Sequence, residues 1–592
     1  MTESAQSSRN MADPEKPEYH TPQSPTISSD SGTLSRVQSE GALEKAETAA
    51  DRTYLPITAS ASNARTASRP TLAKTRTGAS VTDGYSSYNL VDHPDDQDDG
   101  DDALAVKRTP TDAYEVRWDG KSDALSPRNM SFARKWLITS ILSFSSFLVT
   151  CTSSIYTLTY DQLIDHFHTS REVATLGLSS FVIGLALGPM FLAPLSEFYG
   201  RKPIYVLSMV MFTIWLIPEA VAQGMATMIV GRFFDGFAGS AFLAVAAGSI
   251  VDMFEPSQIA FPMMIFSAAP FLGPAAGPII GGFINQFANW RWTFYTLLIW
   301  SGCLTAAVIL VVPETYPKVL LKRKAASKRK ESGNERWWAP IERNDDSLLH
   351  TLLHSCVTPC KLLILEPMCL LLCLYSAILL GIVYLFFGAF PLVFQANHGF
   401  QLYQVGLSFC GLGVGMIAGV LTNPFWHKNH ARLVAKYEAE TRQKGIKPPP
   451  EFRLPPAMPG AVLVPIGLFW FGWTTYSSVH WVVPIIGSGI FGTGVFLAFN
   501  GVLTFLVDAY ANYAASAVAA NVLVRLIFAA AFPLFGTQTR TCREVYENLG
   551  FQWASSLLAF LALACLPMPF LFFKYGKKIR AKSRFTTTED ES

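Results

Sequence analysis

From Trp136 onward, apolar residues gather in long uninterrupted runs separated by short polar breaks. Runs of bilayer length lie near 136–158, 173–195, 204–222, 228–251, 261–284 and 292–312. After a gap they recur near 369–394, 402–421, 459–478, 482–506, 514–536 and 553–573. A hydrocarbon core of about 30 Å needs about 20 helical residues. The runs are continuous rather than alternating, and only a helix satisfies its own backbone in lipid over such a run. The pattern predicts an all-α polytopic membrane protein: twelve transmembrane helices, spans 1–12, in two pseudo-symmetric halves of six. Parallel halves with a site between them are a recurring transporter architecture.

The polar stretches divide the chain further. Residues 1–130 are rich in Ser, Thr, Ala and Pro and then acidic through Asp95, Asp96, Asp98, Asp99, Asp101 and Asp102. Such a segment buries too little apolar surface to offset its ordering entropy, so it reads as a disordered cytoplasmic tail. A six-helix half follows at 131–315, a basic linker at 316–365, a second half at 366–574 and a short tail at 575–592.

Charge orients this arrangement. Arg134, Lys135, Arg201 and Lys202, the linker cluster Lys318, Lys322, Arg323, Lys324, Lys328, Arg329 and Lys330, the loop bases Lys428, Arg432, Lys436, Arg442, Lys444 and Lys447, and the tail bases Lys574, Lys577, Lys578 and Arg580 all fall on one side of a twelve-span chain. Positive loops mark the cytoplasm, so both termini are expected there. One miscounted span would scatter these charges over both faces.

Composition agrees: only 16% of the residues are charged, against about 25% in soluble domains. No secretory signal is expected, because the first apolar run begins near Trp136. The nine cysteines form no framework, and Cys356 and Cys360 have no His or Cys cluster to complete a zinc site. Gly120-Lys121-Ser122 looks like the end of a phosphate loop, but Glu115 stands where that loop needs glycine. No enzyme, nucleotide, metal or cofactor chemistry is indicated, and nothing calls for nucleic acid. An ion gradient remains as the common energy source for transport.

Several strings carry a family resemblance. APLSEFYGRKP at 193–203 and GPAAGPIIGG at 273–282 are the longest; WRWTFY at 290–295, PETYPKVLLKRKA at 313–325, PIGLFWFGWT at 465–474 and DAYANYAASAVAANVLVR at 508–525 accompany them. The chain resembles the major facilitator superfamily, in particular its fungal twelve-span drug:proton antiporters, over roughly residues 115–585. In the first string the resemblance implies a cytoplasmic gating loop of Glu197, Gly200, Arg201 and Lys202. In the second it implies the antiporter motif, with Gly273, Pro274, Gly277, Pro278, Gly281 and Gly282. Gly273, Gly277 and Gly281 share one helix face, which favours close helix contact, and the prolines favour a bend. Close relatives often carry Glu after the first Gly-Pro, whereas this chain has Ala275; proton coupling must then use another group.

Ionisable groups inside spans cost about 2.5–3.5 kcal/mol at the centre and are functional candidates. Arg232 and Asp235 lie three residues apart in span 4 and are expected to pair on one face. Arg232 also matches the family's span-4 arginine, to which proton coupling is ascribed. Arg525 is central in span 11, with Asn521 one turn before it, positioned to pair with an acid or an anionic substrate group. Asn500 in span 10, Tyr384 in span 7, and Ser146 and Thr150 in the hydroxyl stripe of span 1 are further candidates for the substrate pathway.

The combined expectation is a monomeric plasma-membrane transporter that exports small organic compounds in exchange for protons by alternating access. Alternatives are a polyamine or cationic-nutrient transporter on the same fold, and a transporter-like sensor acting through its long tail.

Overall fold

The computed structural model describes residues 114–585, apart from 121–122, 256–257, 344–347, 442–447, 539–549, 582 and 584. The segment at 1–113, the loop bases Arg442, Lys444 and Lys447, and most of the loop at 537–552 lie outside the described residues.

Eleven helices among the described residues are long and apolar enough to cross a bilayer. They are span 1 (Phe132–Phe167), span 2 (Arg171–Tyr199), span 3 (Arg201–Ala220), span 4 (Met225–Met253), span 5 (Ala260–Phe287), span 6 (Arg291–Val311), span 7 (Pro367–His398), span 8 (Leu402–Thr441), span 10 (Val482–Ala509), span 11 (Ala511–Leu534) and span 12 (Gln552–Arg580). Span 9 is the apolar helix Ala457–Trp473, whose 17 residues reach about 26 Å at 1.5 Å per residue. That is the lower limit for a crossing. Span 8 outruns its apolar stretch because the polar segment after Leu421 continues as helix. Leu310 and Ile364 are 81% and 80% exposed, and such apolar rims suit lipid contact better than water.

The packing repeats between halves. In the first half, span 1 packs on span 5, span 2 on span 4, and span 3 on span 6; in the second, span 7 packs on span 11, span 8 on span 10, and span 9 on span 12. Adding six to each span number converts one set into the other. The halves meet through spans 2 and 11 and through spans 5 and 8, and the same operation exchanges these two seams.

The tail is shorter than its composition implies. From Tyr114 on, the chain docks on the linker that joins the halves. The Val116 amide donates to the Trp338 carbonyl at 2.9 Å, and the Trp338 amide to the Tyr114 carbonyl at 3.1 Å. Val116, Ala325 and Ala339 form a small core of their own. Lys324, on the linker helix Pro317–Ser332, donates to the Arg117 carbonyl and pairs with Asp119 and Asp123. Arg329 makes a two-bond pair with Glu342 at 2.9 and 2.8 Å. Part of the linker's basic charge, that of Lys324, therefore holds residues 114–120 and Asp123 beside it.

Candidate functional site

Span 4 starts at Met225, so Arg232 stands two turns in, with no solvent exposure. Its Nη1 lies 3.7 Å from Oε2 of Glu219 on span 3, which is equally buried. Its Nη2 donates to the carbonyls of Thr152 at 3.0 Å and Ser153 at 3.4 Å on span 1. The rings of Tyr156 and Phe181 flank the guanidinium at 4.6 and 4.5 Å. Asp235 is also fully buried, and neither of its carboxylate oxygens has a hydrogen-bond partner.

The expected pairing of Arg232 with Asp235 is therefore corrected: the ion-pair partner is Glu219. Side chains on a helix tilt toward its N-terminus. Arg232 thus reaches back toward the turn that joins spans 3 and 4, where Glu219 stands. Asp235 lies one turn behind, within the field of both charges. Gly231 permits the approach, since a Cβ there would lie 3.0 Å from Cγ of Glu219. Glu219 could have been found by scanning every predicted run for acids; it is the one acid inside the third run.

The glycine string of span 5 divides its work between two faces. Gly273, Gly277 and Gly281 face span 1: a Cβ at Gly273 would lie 2.8 Å from the Phe147 carbonyl oxygen, and one at Gly277 2.7 Å from that of Cys151. Gly282 turns the other way, where a Cβ would lie 2.9 Å from the Leu402 carbonyl oxygen of span 8. The helix runs unbroken through Pro270, Pro274 and Pro278. Ala275 is buried, and Gly413 of span 8 lies opposite it.

The loop string builds a second cluster. Gly200 has φ 100°, a region that favours glycine. Glu314, from the string that ends span 6, accepts from the amides of Arg201 at 2.9 Å and Lys202 at 3.3 Å and so caps the start of span 3. Arg201 pairs with Asp252 of span 4 at 3.2 Å, donates to the Ser196 hydroxyl at 3.2 Å and lies over the Tyr316 ring. Glu197 adds its charge to this group. Lys202 reaches the Ile309 carbonyl at 3.3 Å. Asp252 does not stand out in the sequence, and Glu314 stands there only as part of a string, because their roles depend on contacts between spans.

The remaining candidates separate. Ser153 and Tyr384 share a hydrogen bond at 3.1 Å between spans 1 and 7, joining the two halves. Ser179 donates to the Ala530 carbonyl at 2.7 Å between spans 2 and 11. The Leu402 amide donates to the Gln286 side chain at 3.0 Å between spans 5 and 8. Ser179–Ala530 and Leu402–Gln286 lie near the span ends away from the Gly200-Arg201-Lys202 turn, whereas Tyr384 stands near the middle of span 7. Thr150 bonds back to the Ser146 carbonyl at 3.1 Å and packs against Gly273, whereas the Ser146 hydroxyl is buried without a partner. Asn521 donates to Ser376 of span 7 at 2.6 Å. Asn500 stands apart near the basic end, donating to Asn423 at 2.8 Å in a cleft with Trp426, His427 and Arg453. Phe386 and Phe390 pack on Phe471 inside the second half. Among the described residues no group of His, Cys, Asp or Glu is arranged to hold a metal.

The paired six-helix halves have parallels. The proton:xylose symporter XylE bound to 6-bromo-6-deoxy-D-glucose superposes with a TM-score of 0.53 at 16% identity, over 75% of this chain and 96% of that one. A partially occluded inward-open structure of XylE from E. coli gives a TM-score of 0.51 at 16% identity, over 75% and 98%. These likenesses show the fold. Sequence relatives are far nearer. The efflux pump atB of Aspergillus terreus is 52% identical over 478 residues, covering 81% of this chain and 91% of its own. The probable drug/proton antiporter YHK8 of Saccharomyces cerevisiae is 44% identical over 460 residues, covering 77% and 87%. The multidrug transporter mdrA of Aspergillus fumigatus is 42% identical over 511 residues, covering 86% and 80%. The Major Facilitator Superfamily pattern itself matches residues 142–533. With its repeated helix pairing, its glycine seam and these relatives, the chain belongs to the major facilitator superfamily.

Proposed function

We propose that this protein exports small organic compounds across the plasma membrane in exchange for protons, with both termini in the cytoplasm. The observation that carries the coupling is the sealed cluster of Glu219, Arg232 and Asp235. One cation and two carboxylates leave an uncompensated negative charge if both acids ionise. Burying such a charge costs several kcal/mol, so the sealed cluster is neutral with one proton and releases it when water enters.

Arg232 ties that proton to motion. It holds the carbonyls of Thr152 and Ser153, and the Ser153 hydroxyl meets Tyr384 of the other half. A change of charge at the cluster therefore reaches the seam through one residue of span 1. The glycine face of span 5 lets spans 1 and 5 move as one packed unit. Contacts between the halves run along both seams, from Leu402 and Gln286 at the span ends to Tyr384 and Phe271 further in. Alternating access is a rocking of the two halves about these seams. The relatives named for efflux and for drug/proton antiport support the direction, and the protein acts as a monomer.

The test is transport by purified protein in liposomes, using a compound identified by a growth screen of a deletion strain. Uptake should require a proton gradient directed against substrate movement and should stop when an ionophore collapses it. Equal transport without a gradient would refute the coupling.

A further inference from the structure

Span 11 holds a second arginine in surroundings unlike those of Arg232. Arg525 is only half-buried, and its Cζ lies 5.1 Å from the centre of the Phe499 ring of span 10. Tyr384 of span 7 lies within its field. Its Nε and Nη1 are shielded from solvent and donate to nothing. Among the described residues no carboxylate forms an ion pair with it. Buried donors of this kind are rarely left unpaired in folded proteins.

The surroundings are aromatic and span both halves. Phe499 stacks with Phe271 of span 5 at 5.4 Å, and Phe271 meets Phe496 edge-on at 5.4 Å. Tyr384 carries its hydroxyl to Ser153 across the seam. One turn below Arg525, Asn521 is fixed to Ser376 by its amide and keeps Oδ1 unpaired. The acids of the first half do not offset this charge, since Glu219 and Asp235 are sealed beside Arg232. A ligand between the halves therefore meets a positive group flanked by ring faces, while the first-half acids Glu219 and Asp235 are buried.

We infer that Arg525 anchors a subsite for planar organic anions, carboxylates above all, with Phe499 and Tyr384 beside the ring. A guanidinium presents its N–H groups as a fork that matches a carboxylate with two parallel bonds. This names a substrate class for the exporter proposed above and rests on that reading, but it is testable by binding alone.

Three probes with one ring system and different charge separate the possibilities: 1-naphthoate, 1-naphthylmethanol and 1-naphthylmethylamine. Each is titrated into the purified full-length protein, with binding read by tryptophan fluorescence. Wild type should prefer naphthoate over the amine. Arg525→Gln should weaken naphthoate binding by about ten- to a hundredfold, the worth of a charge-assisted bond, and leave naphthylmethanol unchanged. Arg525→Lys should fall between. Equal binding of the three probes by wild type, or unchanged naphthoate binding in Arg525→Gln, overturns the inference, and the first outcome needs no variant to fold. No proton gradient enters the assay, so failure of proton coupling and failure of this subsite give different results.

Discussion

Arg232 on span 4 and Glu219 on span 3 meet 3.7 Å apart, with no exposure of either side chain. With one proton on the acid pair, removing the cation leaves one uncompensated carboxylate charge in an apolar bundle. Breaking a buried pair by one partner costs about 3–5 kcal/mol. Arg232→Met should therefore lower the unfolding temperature of the purified protein sharply, and Arg232→Met with Glu219→Gln should recover much of the loss. A single variant as stable as wild type would contradict the pairing.

Gly277 sits where a Cβ would press on the Cys151 carbonyl oxygen at 2.7 Å. Gly277→Ala should cost about 1–3 kcal/mol, as overpacking does, and should reduce transport by separating spans 1 and 5. Gly413 is the control, because a Cβ there would reach only Ala275, at an ordinary 3.5 Å. Gly413→Ala should keep wild-type stability and transport. Similar losses at both positions would argue against a packing role specific to the glycine string.

The contrast between these residues shows what the sequence made legible. Span count, repeat and family follow from run length and from strings such as GPAAGPIIGG, since bilayer thickness and close helix contact constrain them locally. Arg232 was visible for the same reason, as a charge in an apolar run. Its partner was not, because i, i+3 spacing favours Asp235 while the tilt of the side chain selects Glu219 across the turn. The capping of span 3 by Glu314 was hidden likewise; its ligands come from residues more than a hundred positions apart. The docking of residues 114–120 and Asp123 on the linker was obscured by their polar composition.

Tyr384 and Ser153 join the halves through one hydrogen bond of 3.1 Å. Tyr384→Phe removes it, at a cost of about 1 kcal/mol to the contact between the halves, or roughly a fivefold change in the ratio of states. Spin labels at Asp165, in the last turn of span 1, and Ser477, just after span 9, both exposed, should show a larger fraction of long distances in the variant. An unchanged distance distribution would remove this bond from the gate.

The clasp between tail and linker should depend on pH. Burial alone would raise the Asp123 carboxyl, but Lys324 and the amides of Leu125 and Asp119 outweigh it and hold Asp123 below its ordinary value. The Arg329 guanidinium likewise holds Glu342 low. Groups depressed in the folded state stabilise it above their ordinary pKa values and lose that contribution as pH falls through the lowered ones. The clasp should stay intact at neutral pH and loosen below about pH 4. Limited proteolysis near residues 333–336 should accelerate only in that acid range, and an acceleration between pH 7 and 5 would contradict these assignments.

The central claim is that the cluster of Glu219, Arg232 and Asp235 holds the proton exchanged for substrate. The most direct measurement is proton release on substrate binding, followed with a pH-sensitive dye in weakly buffered detergent solution. Wild type should release protons when a transported compound is added. The double variant Glu219→Gln, Asp235→Asn should bind the same compound and release none. Equal release from wild type and the double variant would place the proton elsewhere and contradict the account.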